Sequence, residues 1–249
     1  MADIIIDAFQ KALELIFSGD SEVFATAART VYAAGLGTLL ACLWGIPIAV
    51  LLGLYSFRGK WLIKSLFNAL LGVPTVTLGL LLVMFLSRSG PAGFLHFLYT
   101  LNGIAVGQAL LVTPIIVSYT SSALGATDIQ LRDLAKTLGA SKIQTNLAIL
   151  RETMWAIVLS LISAFNRGFG ELGIAMMVGG NIAYVTRLLT TSIALETAKG
   201  EYAFAMALAI IQIAIVVFIT VLVNLVERLE SGGEFKRITE RLHSAVGKD

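Results

Sequence analysis

The stretch that decides the fold class is residues 30–57, which read TVYAAGLGTLLACLWGIPIAVLLGLYSF. It contains no Asp, Glu, Lys or Arg, and it is long enough to cross the roughly 30 Å hydrocarbon layer of a membrane as a helix. Three further runs lack these charges: residues 65–87, 89–127 and 202–226. The whole chain is only 14% charged, against about 25% in an average soluble domain. The sequence therefore predicts an all-α polytopic membrane protein.

Five transmembrane helices are predicted, at about residues 23–54, 63–86, 102–125, 148–170 and 202–227. Cytoplasmic loops are enriched in Lys and Arg, so the basic residues set the orientation. Three lie in the first connection, four in the third and five in the tail, which puts 12 of the 18 on one side. The N-terminus is then outside and the C-terminus cytoplasmic. A sixth span stays open as an alternative, although it would put the basic tail outside.

The predicted spans divide the chain into three parts. Residues 1–19 place apolar side chains such as Ile5, Ala12 and Leu15 at helical spacing, which predicts an amphipathic helix at the membrane interface. Residues 20–228 form the membrane domain, with a cytoplasmic loop at about 126–147. Residues 229–249 are a charged cytoplasmic tail that follows the glycine-containing run at 231–233. No cleavable secretion signal is expected, because acidic residues replace the basic start of such a signal.

Two local features inside the membrane domain predict irregular backbone. Pro47, Pro74 and Pro114 each fall within one of the first three spans, where proline removes a backbone hydrogen bond and favours a kink. Residues 171–201 contain an apolar piece that is too short to span the membrane. A re-entrant or outward-facing segment fits it better, and such backbone is tolerated where it is buried in protein or lines a cavity.

The residues that enzymes and cofactor sites require are scarce. His96 and His243 fall on opposite sides of the membrane in the five-span topology, so they cannot share a metal or a proton. No His, Cys, Asp and Glu cluster has metal-ligand spacing, and no glycine-rich phosphate loop ends in Gly-Lys-Ser/Thr. We therefore expect no catalytic residue, no metal and no cofactor on this chain. If ATP drives the protein, another chain binds it.

Two charges interrupt the apolar pattern near the outer end of the fourth span. Arg167 and Glu171 are four residues apart and so lie on one helix face. A charge at this depth is costly unless it is paired or lines a water-filled cavity. The spacing fits either a mutual ion pair that fixes the end of the helix or a role in guiding or gating a charged solute.

The loop between the third and fourth spans has apolar residues at helical spacing. Leu131, Leu134 and Leu138 form one stripe, Gly139 permits a sharp turn, and a second helical piece follows from Lys142. The pattern predicts a cytoplasmic helical hairpin that presents a small apolar face to a partner. A loop that only packs on its own bundle is the alternative.

This loop resembles the signature cytoplasmic loop of type I ABC importer permeases. In that family a Glu-Ala-Ala triplet is followed four residues later by glycine and then by an Ile-x-Leu-Pro ending. Here the triplet is Asp133-Leu134-Ala135, the glycine is Gly139, and the ending is Ile149-Leu150-Arg151-Glu152. The spacing from triplet to glycine is intact, while Asp-Leu replaces Glu-Ala and Arg-Glu replaces Leu-Pro.

Further pieces extend the resemblance over about residues 20–228 and make it specific. They look like the molybdate and tungstate permeases, with sulfate permeases also similar, and tungstate permeases are the most similar. The pieces are Pro74-Thr75-Val76-Thr77-Leu78-Gly79, Gly107-Gln108-Ala109 with Pro114, the run from Arg167 to Gly173, and Gly179-Gly180-Asn181-Ile182.

The resemblance implies how the protein would work. Two copies would pair in the lipid bilayer, an ABC ATPase dimer would use ATP and Mg on the cytoplasmic side, and a periplasmic or lipid-anchored binding protein would deliver an oxyanion. The residues implied to couple to the ATPase are Asp133, Leu134, Ala135, Lys136, Leu138, Gly139, Ala140 and Ser141. Those implied to form the pathway or its gate are Arg167, Glu171, Asn181, Thr75, Thr77 and Gln108.

Other functions compete with this interpretation. An ABC permease for sulfate or another small solute would have the same architecture. A secondary carrier or channel would need coupling charges or a selectivity filter within its helices, and a membrane enzyme would need a catalytic constellation. A nucleic-acid partner is not expected, because the net charge is only +2 and the basic residues are dispersed.

Overall fold

The computed structural model describes the backbone of residues 2–246, and it describes their side chains except at 2–4, 8, 127–133, 136 and 226–246. Within these limits all regular structure is helical. The α-helices are α1 Ala2–Phe17, α2 Ser21–Leu54, α3 Lys60–Leu70, α4 Thr75–Leu86, α5 Leu101–Thr137, α6 Lys142–Glu152, α7 Met154–Phe169, α8 Gly173–Gly179, α9 Leu189–Lys199 and α10 Tyr202–Val246. A single 3₁₀ turn, Gly93–Leu95, lies between α4 and α5.

Three helices are long and apolar enough to cross a membrane alone: Ser21–Leu54, Leu101–Ala126 and Tyr202–Leu225. Two helix pairs pass the same test together but are bent, α3 with α4 by 100° and α6 with α7 by 54°. If each bent pair counts as one span, the total is five, which agrees with the predicted number. The part of the chain that the structure describes offers no sixth.

Only one of the three prolines lies at a break between two helices. Pro74 is the N-cap of α4 and follows the break after Leu70, so the predicted interruption of the second span is confirmed there. Pro47 and Pro114 lie inside α2 and α5, each of which continues as one helix. The predicted kinks therefore do not become breaks, because neighbouring membrane helices tolerate proline when the surrounding packing holds the helix together.

The bundle is built around α2, α5 and α7. Their closest packing is made by small and branched apolar side chains that are fully buried, namely Ala41, Ala109, Val112, Ile116 and Ala164. Small residues let membrane helices approach closely, which increases van der Waals contact where no hydrophobic driving force between helices exists. These three helices form the rigid centre against which the shorter segments pack.

The segment that follows α7 packs into the protein. In α8, Ile174, Ala175 and Val178 are completely buried, and the helix lies against α4 and α5. After it the chain turns at Gly180 and Asn181, both with left-handed φ, and runs to α9. This arrangement matches the predicted irregular segment over residues 171–201, in which α8 and the start of α9 are largely buried in protein.

The predicted third span agrees with the candidate span Leu101–Ala126, and α5 continues beyond it as a helix to Thr137 because no effective breaker occurs before Gly139. The helical piece predicted from Lys142 is present as α6. The predicted fourth span needs correction, because it is a bent pair in which α6 turns at Thr153 into α7 and not a helix that starts near Ala148. The Thr153 hydroxyl donates to the Ile149 carbonyl, a contact that often accompanies a helix bend.

The chain divides into two compact units, Met1–Gln212 and Ile213–Asp249. In the first, Asp20 caps α2 by accepting from the amides of Glu22 and Val23. In the second, the glycine-containing run at residues 231–233 falls within the bounds of α10 and outside the described side chains.

Candidate functional site

The centre of the candidate pathway site is the carboxylate of Glu171, at the junction between α7 and α8. Its side chain is only 2% exposed. One carboxylate oxygen, Oε2, accepts from Arg167 Nη1 at 3.3 Å, and the other accepts from the backbone N–H of Ile174 at 3.1 Å. The carbonyl oxygen of Glu171 accepts from the Thr190 hydroxyl at 3.0 Å. Glu171 therefore joins α7, α8 and α9.

The two members of this ion pair are in different surroundings. The Arg167 side chain is 43% exposed, while its partner is buried. Guanidinium carries five N–H donors, and the Glu171 carboxylate engages only Nη1. Of the two roles left open by the sequence, the ion pair is present. Arg167 also retains exposed donors that a solute carrying acceptor oxygens can reach.

Two more predicted pathway residues reach the same junction. Gln108 on α5 is buried, and its Nε2 donates to the carbonyl of Gly168 at 2.9 Å. Its Oε1 is buried without a hydrogen-bond partner among the described residues. Thr75 at the start of α4 lies against Gly173, since a Cβ on that glycine would come within 2.6 Å of Thr75 Oγ1. The junction thus collects Arg167, Glu171, Gln108 and Thr75.

The remaining two predicted pathway residues lie elsewhere. Thr77 is exposed on α4, and no hydrogen bond among the described residues joins it to the junction. Asn181 lies beyond the far end of α8, where its Oδ1 accepts from Arg187 Nε at 3.3 Å. The structure therefore does not bring the six residues into one cluster, and their role in transport stays a prediction.

Arg29 and Arg187 are part of a polar network that the sequence analysis missed. Arg29 Nε donates to the carbonyl of Arg187 at 3.0 Å, and Arg29 Nη2 donates to Glu22 Oε1 at 2.7 Å. The network ties the start of α2 to the loop between α8 and α9. Glu22 and Arg29 are two helical turns apart, and this spacing in the sequence could have indicated that they pair. The link to Arg187, 158 residues away, depends on packing and left no trace in the sequence.

The predicted coupling loop is a helix–turn–helix built by two capping motifs. Gly139 has a φ of 73°, and the Ala140 amide donates to the Ala135 carbonyl at 2.9 Å, which is the hydrogen bond of a glycine-terminated helix end. Ser141 then caps α6 through a reciprocal capping box with Gln144. The turn between α5 and α6 is therefore specified by its own residues.

The outer surface of this turn is apolar. Leu134, Leu138 and Ile143 are 61%, 77% and 81% exposed, and we call these three residues the coupling patch. Beside them, a groove of about 420 Å³ opens between residues 54–56 and 140–146. Contiguous exposed apolar side chains on a structured loop mark an interaction surface. Of the other predicted coupling residues, Asp133 and Lys136 lie outside the described side chains.

The described part of the chain is thus a helical bundle of the multi-pass membrane class, with a buried ionic junction and an exposed apolar turn. A family model described as the binding-protein-dependent transport system inner membrane component matches residues 45–231. The chain belongs to this family and is a multi-pass inner-membrane protein. The predicted permease fold is thereby confirmed.

Individual relatives match over most of their length. The tungstate uptake system permease protein TupB of Peptoclostridium acidaminophilum is 35% identical over 213 residues, which cover 86% of this chain and 93% of the relative. TupB of Campylobacter jejuni is 34% identical and covers 86% of this chain and 89% of the relative. A probable anion ABC transporter permease of Haloferax volcanii is 34% identical, with 78% and 86% covered. Permeases for molybdenum and sulfate are also related.

Proposed function

We propose that this chain is the permease subunit of an ATP-binding cassette importer that translocates a tetrahedral oxyanion, with tungstate as the first candidate and molybdate as the second. The observation that carries the proposal is the near-complete coverage of two tungstate permeases at 35% and 34% identity. The half-exposed Arg167 adds a cation at the outer end of α7, where an arriving dianion would meet it. An ABC permease for sulfate is the third candidate, supported by a related sulfate permease.

Three kinds of partner follow from this function. An ABC ATPase dimer would supply ATP hydrolysis with Mg, and this chain itself would bind no cofactor and perform no catalysis. A periplasmic or lipid-anchored binding protein would deliver the oxyanion. A second copy of this chain would pair with it about a two-fold axis and complete the pathway.

The coupling patch is the proposed ATPase contact. Its leucine and isoleucine side chains would enter an apolar groove of the ATPase, and burial of each would contribute about 1.5–3 kcal/mol before the costs of association. The predicted coupling residues surround this patch: Ala135, Gly139, Ala140 and Ser141 shape the turn. Closure of the ATPase dimer would move the turn and rock the bundle between inward-facing and outward-facing states.

The proposed orientation puts this turn and the C-terminus in the cytoplasm and the N-terminus outside. It is supported by the basic residues on the connection before α3, on the α5–α6 turn and on the tail. Cysteine accessibility tests it directly. A cysteine in place of Leu138 should react with an impermeant thiol reagent only from the cytoplasmic face, after Cys42 has been replaced by alanine.

ATP hydrolysis by the assembled complex in liposomes tests the function. The permease is reconstituted with the ATPase and the binding protein from the same transport system, and tungstate, molybdate and sulfate are added separately. Stimulation by tungstate or molybdate that is lost in Gly139→Trp supports the proposal, whereas stimulation by sulfate alone selects a sulfate permease. A correctly assembled complex that responds to none of the three anions overturns the oxyanion assignment.

A further inference from the structure

Lys64 is a cation on the inner face of α3 whose charge is not neutralised by any ion pair among the described side chains. Its Nζ reaches across to α5, where it lies 3.5 Å from the carbonyl oxygen of Ser121. The side chain is only partly exposed. A partly buried ammonium that contacts a backbone carbonyl and, among the described side chains, no carboxylate retains its attraction for an anion.

A small cavity beside this ammonium is lined partly by polar and partly by apolar residues. The polar ones besides Lys64 are Asn68, Ser118, Ser121 and Ser122, and the apolar ones are Leu52, Phe67 and Val117. Ser118 is 6% exposed, and its Oγ is buried without a hydrogen-bond partner in the part of the chain that the structure describes. A buried hydroxyl left without a partner costs about 1–3 kcal/mol, so Ser118 has a donor to offer to a group that enters this cavity.

The donor set identifies the chemical class of that partner. An ammonium offers three N–H donors and each serine one O–H donor, while Asn68 adds an amide one helical turn after Lys64. Converging donors with a net positive charge fit an anion with several acceptor oxygens. The ion pair of Arg167 and Glu171 differs in this respect, because a buried carboxylate already neutralises its cation.

We infer that Lys64 and Ser118 form an oxyanion-binding site between α3 and α5, with the exposed Ser122 at its edge. This inference rests on the proposed function. It assigns a second anion contact to the transport pathway, separate from the junction between α7 and α8. Lys64 supplies the charge, and the serine hydroxyls donate to the anion's oxygens. The site lies within the last turns of the membrane-spanning part of α5, which ends at Ala126.

The cavity must widen to admit the anion. Its volume of about 10 Å³ is that of a single water site. α3 has no buried residue, and it is joined to α4 through the 100° break, so little packing resists its movement away from α5. The site is therefore closed in this conformation and opens when α3 separates from α5.

Thiol protection tests the site without relying on transport. Cys42 is replaced by alanine, the exposed Ser122 is changed to cysteine, and the complete complex is labelled with a cationic methanethiosulfonate in the absence and presence of tungstate. Chloride at equal ionic strength is the reference. We expect tungstate at twice its dissociation constant to slow labelling about threefold, because the free fraction falls as 1/(1 + [L]/Kd).

Variants assign the protection to the proposed residues. Lys64→Met removes the charge and should abolish protection, whereas Lys64→Arg should retain it. Arg58→Gln, at an exposed cation in the connection before α3, is the matched control and should leave protection unchanged. Ser118→Ala removes a hydroxyl without a protein partner, so the variant should fold normally and show weaker protection.

The results separate this inference from the proposed function. Unchanged protection in both Lys64→Met and Ser118→Ala overturns the site, and so does the absence of protection in a complex whose ATPase responds to tungstate. In the second case the proposed function stands. A complex that shows no ATPase response to tungstate, molybdate or sulfate contradicts the proposed function, and protection of the thiol introduced by Ser122→Cys is then the separate measure of the site.

Discussion

The hydroxyl of Thr190 donates to the carbonyl oxygen of Glu171 across 3.0 Å, which fixes the start of α9 to the residue between α7 and α8. The side chain of the same glutamate holds Arg167 and the amide of Ile174. One residue thus secures three helices near the predicted pathway. The following predictions start from this arrangement.

Glu171→Ala should destabilise the protein by about 2 kcal/mol, because the Ile174 amide loses its buried acceptor and Arg167 loses its counter-charge. Glu171→Gln should lose less stability, since its side-chain amide oxygen can still accept the hydrogen bond from the Ile174 amide. Thermal transitions of the purified permease measure the difference. Glu14→Ala, which removes an exposed ion pair, is the control and should shift the transition by less than either. Equal transitions for wild type and Glu171→Ala would contradict the structural role.

Arg167→Ala should impair transport more than stability. Because the side chain is 43% exposed, its ion pair contributes little to folding, about 1 kcal/mol or less. If Arg167 meets the anion, uptake of tungstate should fall while the thermal transition changes slightly, and Arg167→Lys should recover part of the uptake because it restores the charge. Uptake into liposomes is the measurement. Unchanged uptake in a folded, assembled Arg167→Ala complex removes this residue from the pathway.

Leu138→Asp should uncouple the ATPase from the permease. The leucine side chain is 77% exposed, so the permease alone gains no buried charge and should remain stable. In the complex the aspartate would have to enter an apolar contact, and burial of an unpaired charge weakens such contacts. Co-purification of the ATPase and its substrate-stimulated hydrolysis check this effect. Thr137→Ala, at the neighbouring exposed position, should leave both intact.

The loss of activity in a Gly139 variant should increase with the energetic cost of holding the new residue in a left-handed backbone conformation. Its φ is 73°, and a Cβ added there would meet no heavy atom beyond the adjoining residues within 4 Å, so strain rather than collision decides the outcome. Asn tolerates this conformation best, Ala costs about 1 kcal/mol, and β-branched Val costs more. Stimulated ATP hydrolysis should therefore decrease in the order Asn, Ala, Val. An equal response of Asn and Val would mean that the turn changes conformation when the ATPase binds.

The sequence predicted the features that depend on local chemistry. Uncharged runs located the spans, Gly139 located the turn of the coupling loop, and Pro74 located the sharpest break. The apolar run located the end of the third span but not the end of its helix, because good helix formers follow and α5 continues twelve residues beyond the predicted span end at 125. Leaving the apolar layer does not by itself end a helix; a residue such as glycine or proline must do so.

Long-range contacts could not be predicted in the same way. The spacing of Arg167 and Glu171 indicated their pairing, because four residues on a helix bring two side chains together. Nothing in the sequence linked Thr190 to Glu171, Arg29 to Arg187 or Lys64 to Ser121, since these contacts depend on how separate helices pack. The network at the α8–α9 loop was therefore found only in the structure.

The continuity of α5 from Leu101 to Thr137 has a mechanical consequence. Its 37 residues measure about 55 Å at 1.5 Å per residue, well beyond the roughly 30 Å hydrocarbon layer. The helix is therefore long enough for its two ends to lie on opposite sides of the bilayer. A tilt of about 5° around its midpoint would displace each end by about 2.4 Å in opposite directions. A small push on the turn that follows Thr137 would thus move Leu101, at the other surface of the membrane, without any relay of side chains.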